Sequence, residues 1–287
     1  MKAELHSHSF YSYGTKISVE GLNSPAELVK QAKILGLGAI AITDHNEFRG
    51  GIEAEKIGKK IGVTVIKGEE IQTDMDRHVL GLGLSERIKP GHSAEETINL
   101  IRAQGGIAIA PHPFDLANKG LRQKARKCDA IEVFNSINLD RLSNKNAKIF
   151  AKKYSLNTVA GSDAHCIEMV GYGVTEISAE NDVDSILKAI KKGRTSIHGK
   201  YIPIKVIQDW SMRRFNDSYW QVMQYIQENY STPKRWVAGR LLKLTTKSPG
   251  KIDYLFKGLA YCSLGAAVCY SAAKSTKHFV QIKAARK

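Results

Sequence analysis

Short apolar runs rich in Ala, Val and Ile recur through the first two-thirds of the chain, separated by longer segments whose apolar residues fall at helical spacing. That alternation is the mark of parallel β/α units. Strands are predicted over 3–6, 39–43, 63–71, 78–82, 107–110, 130–134 and 158–161. A helix is predicted over 24–35, where Ser24 suits the N-cap and Pro25 the first helical position, Glu27 completes an S-x-x-E capping box, and Gly36 stands at the stop. Further helices are predicted over 93–104, ended by Gly105 and Gly106, over 139–154, and over 183–192, ended by Gly193. Periodicity does not separate a closed barrel from an open doubly wound sheet. Ligand-type residues at nearly every strand end do favour a barrel, whose strand C-terminal ends converge on one centre.

Beyond residue 200 the pattern becomes mainly helical. Phe215, Tyr219, Val222, Met223 and Ile226 give 211–230 the spacing of a helix packed on the barrel. Residues 258–273 are uncharged between Lys257 and Lys274, but fall short of the roughly 20 residues a spanning helix needs and are diluted by Ser, Gly and Tyr, which predicts a packed or interfacial helix. Charge changes at the same place. Residues 200–287 hold 16 Lys or Arg against four acids, a net of +12 out of the chain's +15. Such asymmetry points to an appended segment that meets anionic partners, nucleic acid or lipid headgroups. The expected division is therefore 1–199, a barrel, and 200–287, a basic helical extension whose aromatic and basic side chains could grip single-stranded nucleic acid or an anionic membrane surface.

Of the 287 residues, 43% are hydrophobic and 25% charged, which excludes a wholly disordered chain, a collagen-like fibre and a polytopic membrane protein. Cys128, Cys166, Cys262 and Cys269 form no C-x-x-C pair and are too few for a disulfide scaffold. With no charged-then-apolar pattern at the N-terminus, a reducing, cytoplasmic setting is expected.

The histidines are not scattered. Six of the nine stand at or just past a predicted strand end, beside acids. His6 and His8 form an H-x-H pair; on an extended chain alternate residues leave the same side, so both imidazoles can chelate one ion. Asp44 and His45 follow the second strand in T-D-H, Glu69 and Glu70 close the third, and His78 opens the fourth. His112 lies in P-H-P after the fifth, and Asp163 and His165 lie in S-D-A-H after the last. Imidazole with carboxylate suits zinc, manganese or iron, and a bridging carboxylate lets two ions share a water. A lone histidine at a strand end is ordinarily structural, but so many together would accumulate buried polarity that only cations offset. With neither a G-x-S-x-G elbow nor a Walker A loop in the sequence, serine-hydrolase and P-loop readings lose support.

Taken in order, H-S-H-S (6–9), I-T-D-H-N (42–46), G-E-E-I (68–71), H-V-L-G-L-G (78–83), A-P-H-P (110–113), I-E-V-F-N (131–135) and G-S-D-A-H (161–165) resemble the PHP superfamily, named for polymerase and histidinol phosphatase. The resemblance spans residues 1–199 and implies an α/β fold, a distorted barrel of seven β/α units with a trinuclear metal centre, that hydrolyses phosphate esters. It further implies that His6 and His8 share one divalent ion with Asp163 and Glu70, that Glu70 bridges to a second held by His78 and His112, and that a third takes His45 and His165. Members commonly place an acid soon after H-x-H, in H-S-x-x-S-D-G; here the chain reads H-S-F-Y-S-Y-G, and the acid expected to serve is Glu20, past an inserted stretch. Two or three ions, Zn, Mn or Fe, are expected to activate water for attack on a phosphomonoester, a nucleotide or an oligonucleotide end, by a phosphatase or a nuclease.

Catalytic candidates are Asp163, His165 and Arg194, with His198 as another conceivable proton donor. Substrate contacts are expected from Lys16, Arg77, Asn135, Arg194 and His198, with Lys119 and Arg122 as further basic candidates. Asp44 is expected to orient His45, and Cys166 to be a buried thiol. The other reading is a catalytically reduced barrel that binds nucleic acid or a membrane surface through its basic tail. Oligomeric state is not legible from the sequence.

Overall fold

The computed structural model describes residues 1–13 and 17–284, with side chains as far as residue 274. Nine strands form one sheet: β1 (Lys2–Glu4), β2 (Ala39–Ile42), β3 (Thr64–Gln72), β4 (His78–Leu82), β5 (Ile107–Ala110), β6 (Ala130–Asn135), β7 (Thr158–Gly161), β8 (Gly173–Ile177) and β9 (Thr195–Gly199). The first seven follow one another in chain order, and β8 and β9 continue the sheet beyond β1. The ends then meet. Thr175 Oγ of β8 bonds both the N–H and the carbonyl of Ala160 in β7, at 2.9 Å each, and Thr195 Oγ of β9 donates to the Thr158 carbonyl. Past β7, the His8 N–H donates to the Ala164 carbonyl at 2.7 Å. The result is a nearly closed, distorted barrel.

Five helices accompany the strands: α1 (Pro25–Ile34), α2 (Arg49–Ile61), α3 (Ala94–Ala103), α4 (Leu142–Tyr154) and α5 (Val183–Lys191). The capping box of α1 forms as expected, Ser24 Oγ accepting from the Glu27 N–H and Glu27 accepting from the Ser24 N–H, a device worth about 1 kcal/mol. Not every expectation holds. β4 lies antiparallel to both β3 and β5, because the 73–77 turn that joins it to β3 is too short for a crossover helix. Helix α2 was not foreseen: its buried face is Gly50, Gly51, Ala54 and Gly58, which leaves no large apolar stripe to read. Strands β8 and β9 also escaped the pattern, and β9 is half-exposed at the end of the sheet.

Alternate residues of the strands fill the barrel. Ala39, Ala41, Ile66, Leu80, Leu82, Ile107, Ile109, Ala130 and Val159 share one interior cluster, onto which α5 packs Ile186, Leu187 and Ile190 at the end where the strands begin. The same rows continue to the other end of the barrel. Two-residue steps along β3 lead from Ile66 to Glu70, along β4 from Leu80 to His78, along β6 from Ala130 to Glu132, and from Val159 of β7 to Asp163. The apolar floor and the polar mouth are thus written in one register.

The chain after β9 forms α6 (Ile204–Asp217), α7 (Tyr219–Asn229), α8 (Thr232–Thr245) and α9 (Ile252–Ala284). Ile202, Val206, Ile207 and Trp210 pack into the cluster that α1 and α2 build on the barrel's outer side. The single helix expected over 211–230 is broken at Ser218, which leaves helical geometry at φ −104°, ψ 18°. Phe256, Ser271 and Lys274 face inward from α9, with Ser271 Oγ donating to Asp140 at 2.7 Å and Lys274 Nζ to Asn118 Oδ1 at 2.8 Å.

Candidate metal centre

Glu70 stands at the centre of the barrel mouth with five imidazoles around its two oxygens. Oε1 lies 2.7 Å from His78 Nδ1 and 3.0 Å from His112 Nε2. Oε2 lies 3.3 Å from His6 Nε2, 3.3 Å from His8 Nε2 and 3.2 Å from His45 Nδ1. Asp163 Oδ1 faces His8 at 3.2 Å and His6 at 3.5 Å. Among the described residues, three groups bring their donor atoms close enough to hold an ion: His6, His8, Glu70 and Asp163; His45, Glu70 and His78; and His8, His45 and His165. Glu69 does point to the other side of the strand, where it accepts from the Ile88 N–H.

The donors fit divalent cations. His8 Nε2 is buried between two carboxylates yet makes no well-aligned hydrogen bond, and His112 Nδ1 is likewise buried without one. Such nitrogens are costly unless something else takes their lone pairs. The far nitrogens are already fixed: His6 Nδ1 meets Glu132 at 3.1 Å, His8 Nδ1 meets Ser12 Oγ at 3.1 Å, and His165 Nδ1 donates to the Asp163 carbonyl at 2.8 Å. That is the outer support that metal-ligating histidines require. Backbone strain gathers here too, with Asp163 at φ 54° and His112 at φ 26°.

Electrostatics tell the same story. Burial acts to lower the pKa of His6, but the charges of Asp163, Glu70 and Glu132 outweigh it and hold it well above the ordinary value. Burial likewise opposes His8 and His112, yet the close approach of Glu70 and Asp163 to His8 and of Glu70 to His112 pushes each up to about 9. Against the cost of burial, the surrounding histidines keep Glu70 and Asp163 well below the usual carboxylate range. Without cations, protons on imidazole balance the acids. By contrast, burial and neighbouring histidines keep His45 well below its ordinary value and bring His165 down to about 3, so both are neutral in the cation-free cluster.

The structure gathers His6, His8, His45, Glu70, His78, His112, Asp163 and His165 around one mouth, and sets Glu20 Oε2 3.5 Å from His45 Nε2. Other expectations need correction. Arg194 immediately precedes β9, beside Met1 and Ser178 at the end of the barrel away from the histidines, so it stands outside the cluster. His198 is exposed on β9 and pairs with Glu176 at 2.8 Å, outside the site. Asn135 is fully buried and spends its amide on Glu132 and Asp163 and its oxygen on the Ile137 N–H, which makes it a support for the carboxylates rather than a substrate contact. Asp44 holds Ser9, through its N–H and hydroxyl, and not His45. Lys16 lies outside the described residues. Arg77 stands at the rim, bonded to the Asn118 carbonyl, in a cationic group with Lys119, Arg122 and Lys274; burial and the neighbouring positive charges lower the pKa of Arg122 and Lys274.

Three site residues were missed. Glu132 occupies the interior row of β6, and the two-residue step from Ala130 would have found it. Trp210 and Arg214, one turn apart on α6, reach the site from the extension: their rings and guanidinium stack, and Trp210 lies 5.0 Å from His165, centroid to centroid. Nothing in the sequence ties residues so distant together.

Residues 141–195 match a family model described as PHP-associated. An uncharacterised protein of Methanocaldococcus jannaschii is 42% identical over 150 residues, half of this chain and 87% of that protein. A 5'-3' exoribonuclease of Haemophilus influenzae is 35% identical over 88 residues, 30% of each chain. Among solved structures, PsfC from Pseudomonas syringae shares the fold with a TM-score of 0.55 at 19% identity, covering 75% of this chain and 98% of its own. The chain belongs to the PHP superfamily, whose ordered motifs it carries on a barrel that brings them to one mouth.

Proposed function

We propose that this protein is a metal-dependent phosphoesterase. The observation that carries the reading is Glu70, one buried carboxylate shared by five imidazoles, with Asp163 beside it. Cations held by these donors would acidify a coordinated water and neutralise the phosphate oxygens on which charge builds. The protein's own residues supply the rest. By the resemblance, Glu70, His6, His8 and Asp163 would hold one cation, Glu70 with His78 and His112 a second, and His45 with His165 and Glu20 a third; the close donor groups His6–His8–Glu70–Asp163, His45–Glu70–His78 and His8–His45–His165 support such a multi-ion reading. Crowded cations at the rim, Arg77, Lys119, Arg122 and Lys274, favour an anionic substrate entering on the His78 side. The relative from Haemophilus adds weight to a nucleic-acid end or a nucleotide as that substrate.

The test couples elemental analysis to a panel of nucleotides, sugar phosphates, histidinol phosphate and short RNA and DNA. Two or three transition-metal ions per chain and release of phosphate or nucleotide are expected, as the cluster's donor groups imply. His8→Ala and Asp163→Ala should each abolish turnover with the circular dichroism unchanged. Metal-replete protein that cleaves nothing on the panel would overturn the reading.

A second reading, of the extension as a membrane-surface module, rests on a specific observation. Of the 18 large apolar side chains exposed among the described residues, 11 lie beyond residue 200, on the segment that also carries the excess positive charge. Residues Ile252–Lys274 of α9 are long and apolar enough to cross a membrane, and little of that stretch is buried. Its inward stripe is bonded to Asp140 and Asn118 of the barrel, which favours a helix lying along an anionic surface over one that crosses it.

A further inference from the structure

This chain departs from its family's motif order in two places, and the two departures touch. Where members carry an acid after H-x-H, the chain has Tyr13, whose side chain is exposed. Where the motif order ends, it continues into α6 and α7. The segment 17–20, which brings Glu20 to the mouth, is fastened to those helices. Arg214 Nε donates to the Val19 carbonyl at 2.9 Å, Trp210 Nε1 donates to the Glu20 carbonyl at 2.9 Å, and the Val19 N–H donates to Ser218 Oγ at 3.2 Å. Ile17 packs among Val222, Ile226 and Leu242. Ser218, the acceptor, is the residue at which the helix breaks.

The carboxylate itself is shared. Oε1 lies 3.4 Å from Arg214 Nη2, and Oε2 lies 3.5 Å from His45 Nε2. Arg214 is in turn stacked on the Trp210 ring at 4.4 Å, and Trp210 rests against His165 at 5.0 Å. Two side chains one helical turn apart therefore hold the carbonyls before and after the Glu20 Cα, one carboxylate oxygen, and the His165 imidazole.

We propose that α6 is a working part of the metal centre: Arg214 and Trp210 are positioning residues that hold Glu20 against His45 while Trp210 rests on His165, so a cation taken by Glu20 and His45 is bound only as tightly as α6 holds the loop. The inference rests on the metal-centre reading above and extends it to the C-terminal segment. Two effects oppose each other. A guanidinium behind the carboxylate repels an incoming cation, whereas fixing a carboxylate by hydrogen bonds to its outer oxygen strengthens binding, typically by 10–100-fold. Arg214 spends its Nε–H on a loop carbonyl and rests against an indole, so it serves as a clamp, and fixation outweighs repulsion.

The test is titration of the full-length, metal-stripped protein with Mn²⁺, with bound ions counted by electron paramagnetic resonance. Glu20→Gln is expected to hold one ion fewer than wild type. Arg214→Ala should weaken that same ion about 10–100-fold while the tighter ions stay within about twofold. Arg214→Lys, which keeps the charge but not the fork, should fall between, and Glu20→Gln combined with Arg214→Ala should be no worse than Glu20→Gln alone. Should Arg214→Ala fail to fold, Trp210→Phe removes only the indole N–H and should weaken the same ion by a smaller factor. Unchanged or tighter Mn²⁺ binding in Arg214→Ala overturns the proposal, as does equal weakening of every ion, or a rise in KM with all ions in place. If Glu20→Gln keeps every ion while His8→Ala loses them, this inference fails and the phosphoesterase reading stands; if wild type binds no transition metal, both fail.

Discussion

Glu132 serves three neighbours at once: its Oε1 meets His6 Nδ1, and its Oε2 accepts from the His112 N–H at 2.8 Å and from the Asn135 amide at 2.9 Å. Glu132→Gln replaces one acceptor by a donor and leaves two donors face to face in a buried place. Metal affinity should drop about 10–100-fold with the fold retained, measured by metal titration beside circular dichroism. Protons compete for the same positions. With cations absent, His8 and His112 hold protons up to about pH 9 and His6 beyond its ordinary range. Their contribution to stability is therefore complete below the unfolded histidine value of about 6.5 and disappears as the pH rises through about 9. Metal-stripped protein should melt at a lower temperature at pH 9 than at pH 6, and added cations should remove most of that difference and release protons on binding. A melting temperature that is flat across this range in the stripped protein would contradict the charge balance drawn for the cluster. The ligands themselves were legible because most continue an interior row of their strand. Asn135 misled because a polar residue at a strand end reads alike whether it faces substrate or a neighbouring carboxylate.

At the scale of elements, the strands and capped helices could be read because apolar period and cap chemistry agree there. Helix α2 could not. A side-chain carbon at Gly50 would collide with Asp44 and Ser9, so the glycine is kept for close approach and the apolar stripe is absent. Gly50→Ala should thus destabilise the protein by about 1–3 kcal/mol in urea unfolding, although alanine is the better helix former. A stabilised variant would show that α2 can move outward freely. The direction of β4 was hidden for another reason, since a strand's own residues do not record the hand of its pairing; only the short turn before it does.

For the whole molecule, the expected division near residue 200 marks a change of composition more than a gap in contact, because α6 shares a core with α1 and α2 and α9 is bonded to the barrel. Over residues 252–274 the outward side of α9 is largely apolar, within a basic segment. Full-length protein should therefore co-sediment with vesicles containing phosphatidylserine and not with phosphatidylcholine alone, and release in high salt is expected because surface charge attraction is screened within about 10 Å at 0.1 M. Binding to single-stranded oligonucleotides with none to either vesicle would assign the charge to nucleic acid instead. The helix break at Ser218 ties two distant parts of the described chain together. The residue at which the helix breaks also accepts, through its hydroxyl, from the Val19 N–H beside Glu20, near the other end of the chain. On the proposal above, loosening α6 would free Glu20 as well as the core that the helix shares with α1 and α2, so damage to the tail would be felt at the barrel mouth.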